Sequence, residues 1–557
     1  MEAEGTETPE RLGLALSGGG FRAAFFHVGV LARLAETGVL PKVEVISTVS
    51  GGSIVGAAYY LLLKHKLDEA SGPIGRAGYV EIVVELERCL RSAVQENIRG
   101  RVFANLGKNL SMAIRPRYSR SDRIGDLYDR YLYKGAWDWG RDSTRERKWS
   151  GFGPQRQIEL RELPIHPGGD KSFKPESGNV GRNEKVPELL INATTLNTGH
   201  NWRFEAVRMG EPLPKDERRW QIVKEVDNNR RLAQGYFEKR EDGARVPKPQ
   251  RGFPLGLAVA ASAGVPGVFA PLAISKMYVG ARVQLVDGGV QDNQGIQGLL
   301  DRECHRLIVS DASGQLEDDP KPSAGILGVT KRSVAIATDR IRDEQLGVLE
   351  EQGAHPLMHL RKGLEARVVE PGDSFDRPRP DRHRNLDYTS AKFGVHPDVQ
   401  MALSRIRTDL DFFSDVEAAS LELDGYLMTR FELEQRALGA PEDARPEPDW
   451  AFRDERLEKR MGDGKGTVLP TLKTGKKKFL RLLALSPLLA GLRTAAAVAA
   501  GAAIVLALHW LLSCAGVGWP AWVAAGVVLL CLAPSIWAHM SIWAWKRYGR
   551  RSRVAGI

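Results

Sequence analysis

The chain has 557 residues, 43% of them hydrophobic and 27% charged, with 58 glycines. This length holds roughly three to four domains at ~150 residues each, and the composition excludes a wholly disordered or collagen-like chain. The formal net charge of +10 points first to nucleic acid or to another anionic surface. Its distribution separates the two. Lys473, Lys476, Lys477, Lys478, Arg481 and Arg493 put +6 on residues 471–493, and Lys546, Arg547, Arg550, Arg551 and Arg553 put +5 on residues 546–557. Residues 494–545 hold no Asp, Glu, Lys or Arg, which leaves −1 on residues 1–470. A large body so near neutrality argues against nucleic acid as a partner.

The opening MEAEGTETPERLG is polar and acidic, without a basic start or an apolar run, so no secretory leader is expected. Residues 12–16 form a short apolar strand, residues 17–20 a glycine turn, and residues 21–36 a helix with Phe25, Val28, Leu31 and Leu34 at helical spacing. Residues 43–49 form a second, β-branched strand; Gly51 and Gly52 follow, then an apolar helix over residues 54–63. This strand–helix alternation predicts a parallel sheet covered by helices. Further strands are expected at residues 188–195, 283–286 and 306–310. Residues 67–185 read as an insertion or lid region, with a mobile polar stretch at 168–185. Residues 371–384 read as a surface segment and 397–436 as helical. The predicted organisation is a large body over 1–440, a charged linker and basic juxtamembrane segment over 441–493, a hairpin over 494–545 and a basic tail over 546–557.

The hairpin is predicted from length and charge. A bilayer core of ~30 Å needs about 20 apolar helical residues, and residues 494–514 and 519–545 each supply such a run around a short turn. Trp510, Trp519, Trp522, Trp537, Trp543 and Trp545 fall mainly near the ends, as interfacial aromatic residues do. Basic flanks on both outer sides place both termini and the body in the cytoplasm. The four cysteines, Cys89, Cys304, Cys514 and Cys531, show no CxxC or zinc spacing, so neither a disulfide framework nor a metal site is expected.

Three glycine-rich segments carry candidate chemistry. Ser17-Gly18-Gly19-Gly20-Phe21-Arg22 lies between a strand and a helix, where backbone N–H groups and the helix dipole favour an anion. It lacks the GK[ST] of a P-loop and the GxGxxG of a dinucleotide fold. Thr48-Val49-Ser50-Gly51-Gly52 places a serine at a second strand-to-helix turn, a position that exposes a nucleophile or simply caps the helix. Asp287-Gly288-Gly289 follows the strand at 283–286, and a carboxylate in hydrogen-bond reach of a serine supplies the base it needs. Read alone, Asp-Gly-Gly is an ordinary turn.

Together, GGGFR, a serine elbow some thirty residues on and a distant DGG resemble the patatin-like phospholipases. The segment from Ala260 to Pro271 is similar to that family's Ala-Ser-x-x-x-Pro block, and residues 192–196 and 307–313 resemble its neighbouring core strands. The likeness runs over roughly residues 10–440. It implies a three-layer α/β/α sandwich with a mostly parallel central sheet, and a Ser–Asp dyad without histidine or cofactor. Carried over by position, Ser50 is the nucleophile and Asp287 its activator. Gly18, Gly19 and Gly20 form the oxyanion hole with Gly51 beside them, Arg22 holds that loop, and Gly52, Gly288 and Gly289 support the motifs. Two positions depart from the family pattern: Thr48 stands where GxSxG begins with glycine, and Ala23 stands where glycine is common.

Among the histidines, His27 reads as a satisfied core residue, and His355 and His359 read as surface residues because Pro356 intervenes and no third metal ligand is near. The resulting expectation is a membrane-anchored acyl hydrolase of glycerolipids, with anionic headgroups met by 473–493 and 546–553. A transacylase sharing the same acyl-enzyme, or a patatin-fold scaffold without turnover, are the alternatives.

Overall fold

Parallel strands form the centre of the sheet. In the computed structural model, which describes residues 10–96, 98, 101–102, 120–139, 157–213, 229–237, 252–351, 353, 355–381, 389–439 and 448–476, β1 (Leu12–Leu16) lies between β2 (Val45–Val49) and β9 (Arg306–Asp311). On the outer sides stand β3 (Glu188–Thr195) beyond β2 and β10 (Leu357–His359) beyond β9, all four pairings being parallel. Beyond β3 the pairing turns antiparallel through β4 (Asn201–Phe204), β5 (Arg208–Gly210) and β6 (Gly235–Tyr236). A hairpin of β7 (Leu272–Tyr278) and β8 (Ala281–Asp287) joins the same β3.

The period-two alternation of the strands sorts their side chains between two helical layers. Leu14, Leu16, Ile46 and Ile308 face one large core. It is built with α1 (Gly20–Glu36), α2 (Gly51–Glu69), α3 (Gly75–Gln95) and α8 (Asp415–Gln435). Ala15, Val45, Leu190, Leu307 and Val309 face a smaller core that includes Ile296 and Leu299 of α6 (Ile296–Leu300) and Leu349 of α7 (Ile326–Glu351). The result is the expected α/β/α sandwich with a parallel centre.

α1 is buried along its whole length, so its polar side chains need partners. Glu36 supplies them: it accepts from Trp450 Nε1 at 2.6 Å, Tyr426 Oη at 2.7 Å and Arg33 at 3.1 Å, tying α1 to α8 and to the segment after it.

Within residues 67–185, the stretch read as an insertion, α3 belongs to the core. Tyr79, Ile82, Val83, Leu86 and Leu90 are buried against α1 and α2. Its many charged residues hid the apolar stripe that spaces these positions. A later part of the same stretch, α4 (Arg120–Tyr128), packs on α5 (Leu255–Ser262) through Gly125 against Leu257, and Ser121 Oγ donates to the Ala270 carbonyl beyond that helix. The hairpin expected over 494–545 and the tail after it lie outside the described residues. Among the described residues no helix is long and apolar enough to cross a membrane.

Candidate active site

Ser50 occupies the turn between β2 and α2 with φ 49° and ψ −112°. A non-glycine residue there is strained by ~1–3 kcal/mol, so neighbouring groups must hold it. Ser262, the last residue of α5, does so: its Oγ accepts the Ser50 N–H at 3.0 Å and donates to the Asn192 carbonyl at 2.6 Å. Ser53 Oγ lies 2.8 Å from Ser262 Oγ and 2.9 Å from Thr48 Oγ1. The Ser262 proton is committed to one carbonyl and Thr48 donates to another, that of Leu190 at 2.9 Å, so the single Ser53 proton serves either Ser262 or Thr48. Thr48, the departure from the family pattern, therefore belongs to a hydroxyl cluster that reaches the Ser50 backbone through Ser262.

Asp287 ends β8, and the same short segment braces it, since its N–H donates to the Gly264 carbonyl at 3.0 Å. Two residues of one turn, Ser262 and Gly264, thus fix the backbones of Ser50 and Asp287. The Asp287 carboxylate accepts from the Gly289 N–H at 2.9 Å, and the Ser50 side chain stands near enough to favour its charged form. Ser50 and Asp287 are 7% and 6% exposed. Burial pushes the Asp287 carboxyl up to about 7, against these two groups that favour its charged form. Tyr128 of α4 is fully buried within electrostatic reach of Asp287, which with burial raises its phenol.

The glycine loop meets this pair edge-on. A Cβ on Gly51 would stand 2.2 Å from the Gly20 carbonyl, and one on Gly20, at φ 60°, would stand 1.8 Å from the Thr408 carbonyl. The N–H groups of Gly19, Gly20 and Gly51, at or just before helix starts, find no acceptor among the described residues. Gly18 differs from its expected role. Its N–H is committed to the Asn293 carbonyl at 2.9 Å, which leaves Gly19, Gly20 and Gly51 as the available donors. Gly52 likewise donates to the Ser17 carbonyl at 3.0 Å and serves the turn. Gly288 lets β8 pass the Asn192 carbonyl, which a Cβ would approach to 2.4 Å.

Arg22 holds the loop indirectly. It is buried, and its guanidinium donates to the carbonyls of Ala312 at 3.0 and 3.3 Å, Ser404 at 3.0 Å and Ile406 at 2.7 Å. Ala312 and Thr408, in the two segments so gathered, press their carbonyls on Gly19 and Gly20. Burial lowers the Arg22 pKa to about 10, with Asp311 opposing that shift by its charge.

Asn293 was not singled out from sequence, yet its side-chain oxygen stands against both Gly18 and Gly289 and its carbonyl fixes Gly18. No motif residue announces it; its position shortly after DGG is the signal that was available. His27 is a core residue, as expected. Its Nε2–H donates to the Ser17 carbonyl at 3.0 Å, so Nδ1 accepts from Ser310 Oγ at 2.7 Å, and burial lowers its pKa to about 4. His359 is not the surface residue expected: it faces the buried Asp311 at 3.7 Å and is 14% exposed in its side chain. His355 accepts from the Leu307 N–H at 3.3 Å.

Overall similarity to solved structures is low. VipD from Legionella pneumophila aligns at 17% identity over 77% of this chain and 67% of that one, with a TM-score of 0.29. Human GIVD cytosolic phospholipase A2 with methyl gamma-linolenyl fluorophosphonate and terbium chloride aligns at 12% identity over 77% of this chain and 58% of that one, with a TM-score of 0.36. The same human protein with the fluorophosphonate alone gives 13%, 84%, 59% and 0.33. The chain thus spans less than two thirds of the human protein's length. No curated protein sequence matches it. The patatin-like phospholipase description matches residues 14–72, which hold the glycine loop, the Ser50 elbow and α2.

Proposed function

We propose that the protein is a membrane-anchored serine acyl hydrolase that cleaves fatty-acyl esters of glycerolipids through an acyl-enzyme on Ser50 and Asp287. The observation that carries this reading is Ser50 on a strained turn beside the buried Asp287 carboxylate and three uncommitted N–H groups. With its pKa near 7, Asp287 is matched to proton transfer at neutral pH. Ser50 Oγ attacks the ester carbonyl while its proton passes to the Asp287 carboxylate. The N–H groups of Gly19, Gly20 and Gly51 receive the oxyanion. Collapse expels the lysolipid alkoxide, which takes the proton from Asp287. Water then attacks the acyl-enzyme, again giving a proton to Asp287, and the fatty acid leaves as Ser50 regains one.

The hairpin of residues 494–545 anchors the body, with the catalytic domain and both termini cytoplasmic. The basic segments 473–493 and 546–553 meet anionic headgroups, at about 1 kcal/mol per residue near the surface. Fluorophosphonate labelling, with hydrolysis assays on phospholipid, lysophospholipid and neutral lipid, tests the reading. Ser50→Ala should abolish labelling and turnover, and Asp287→Asn should abolish turnover. Full turnover in Ser50→Ala removes it.

A further inference from the structure

α5 leads into the turn that fixes both members of the dyad, since Ser262 holds the Ser50 backbone and Gly264 that of Asp287. The helix itself reads Leu255-Gly256-Leu257-Ala258-Val259-Ala260-Ala261-Ser262, with no polar side chain before Ser262. Apolar burial is non-directional, so it resists a slide along the axis only weakly. Hydrogen bonds at the two ends set the axial position instead. At the start, Pro254 stands as the cap and makes no side-chain bond. The Leu255 N–H donates to the Ile158 carbonyl at 2.8 Å. The next donor, the Gly256 N–H, is taken by a side chain, Asp129 Oδ1, at 3.1 Å.

Two glycines let that carboxyl in. A Cβ on Gly256 would stand 2.4 Å from the Gly125 carbonyl and 2.7 Å from the Asp129 carboxyl, and one on Gly125 would stand 2.6 Å from the Leu257 side chain. At this crossing α4 widens into a π turn over Asp129–Tyr133, an irregularity frequent at functional sites. Asp129 is 2% exposed, and its second oxygen, Oδ2, is buried with no hydrogen-bond partner among the described residues. Burial pushes the Asp129 carboxyl up to about 8, with the Gly256 bond opposing and the Asp126 charge adding, so at neutral pH it is mainly uncharged.

The arrangement meets one buried polar atom, the Gly256 N–H, and leaves another, Asp129 Oδ2, unmet. It therefore gains little stability. Its effect is positional. At 1.5 Å per residue the eight residues of α5 extend about 12 Å, short enough to move as one piece. A shift at Gly256 therefore arrives at Ser262 and Gly264.

We propose that Asp129 is a positioning residue of the hydrolase, holding the start of α5 so that Ser262 and Gly264 seat Ser50 and Asp287 against the glycine loop. The inference rests on the acyl-hydrolase reading of that dyad. The test follows turnover of p-nitrophenyl butyrate by the full-length chain, per site titrated with a fluorophosphonate. Asp129→Val fills the same space without an acceptor and should lower kcat about thirtyfold, as a small misplacement of reacting groups does, with KM within about twofold. Asp129→Asn restores the acceptor for Gly256 and should bring kcat back to within about threefold of the parent. Val259→Ala, which loosens the apolar packing of α5 without touching its ends, should lower Tm at least as far as Asp129→Val yet keep kcat within about twofold. Parental kcat in Asp129→Val overturns the proposal, as does a loss confined to KM. Equal loss in Asp129→Asn also overturns it, because the acid and not the acceptor would then matter. Equal loss in Val259→Ala overturns it too, by assigning the effect to general looseness. If Asp129→Val does not fold, Asp129→Ala, which only removes atoms, carries the same expectations. Failure of the catalytic reading shows separately, as turnover that survives Ser50→Ala.

Discussion

Ser50 and Asp287 meet where two strands arrive from opposite directions along one side of β3. Val49, the last residue of β2, pairs with Asn192, and the next residue of β3, Ala193, pairs with Asp287 at the end of β8. The parallel strand stops where the antiparallel one begins, so each delivers its terminal side chain to the same place. Ser262 and Gly264 then lock both backbones from one turn.

The raised carboxyl of Asp287 sets a pH dependence. A base with pKa about 7 is protonated and idle below that value. Turnover of a soluble ester, read as kcat/KM, should therefore rise with pH through a limb near 7. A limb near 4 would mean that the carboxylate acts as an ordinary solvated acid.

The same burial costs stability. An acid whose folded pKa exceeds its unfolded 3.8 is destabilising above the unfolded value, and the cost grows until pH passes the folded value near 7. Asp287→Asn removes the ionisation while keeping an acceptor for the Gly289 N–H. Thermal or urea unfolding should show this inactive variant to be more stable than the parent. The gain at pH 8 should exceed that at pH 5 by about 3 kcal/mol.

The hydroxyl cluster from Thr48 to Ser262 predicts a positioning effect. Thr48→Val keeps the volume that packs on Gly56 but loses the hydroxyl that donates to the Leu190 carbonyl and meets Ser53. A drop in kcat of roughly tenfold, about 1.4 kcal/mol, is expected with KM little changed. Thr48→Ser should restore most of it. A Thr48→Val enzyme with parental kcat would show the cluster to be idle.

Gly20→Ala should abolish turnover or folding, because its Cβ would lie 1.8 Å from the Thr408 carbonyl at a positive φ. Gly72→Ala, with nothing within 4 Å of the added carbon, should leave both unchanged. Comparing expression, Tm and kcat of the two separates a steric requirement from a general intolerance of glycine loss.

Much of this site could be read locally. The β1–loop–α1 and β2–elbow–α2 units follow from apolar periodicity interrupted by glycine, and both lie close in sequence to the residues that shape them. What escaped depends on distant partners. Gly18 cannot be told from Gly19 by composition, because the acceptor that occupies its N–H belongs to Asn293. α3 concealed its core role because Glu85 and Glu87 are buried among its apolar residues; Glu85 is met by Arg88 and Glu87 by Arg91. His359 draws its setting from Asp311 on the neighbouring strand, a relation set by the β9–β10 register and not by spacing along the chain.

The wall behind the glycine loop has a consequence for synthesis. Arg22 is gripped by the carbonyls of Ser404 and Ile406, Thr408 closes on Gly20, and Arg407 in turn donates to the Gly475 carbonyl at 3.1 Å. A growing polypeptide carries its serine early, but its carboxylate emerges much later and the strut behind its anion pocket later still. With the dyad proposed for Ser50 and Asp287, the polypeptide would be assembled for turnover only once most of it has been translated.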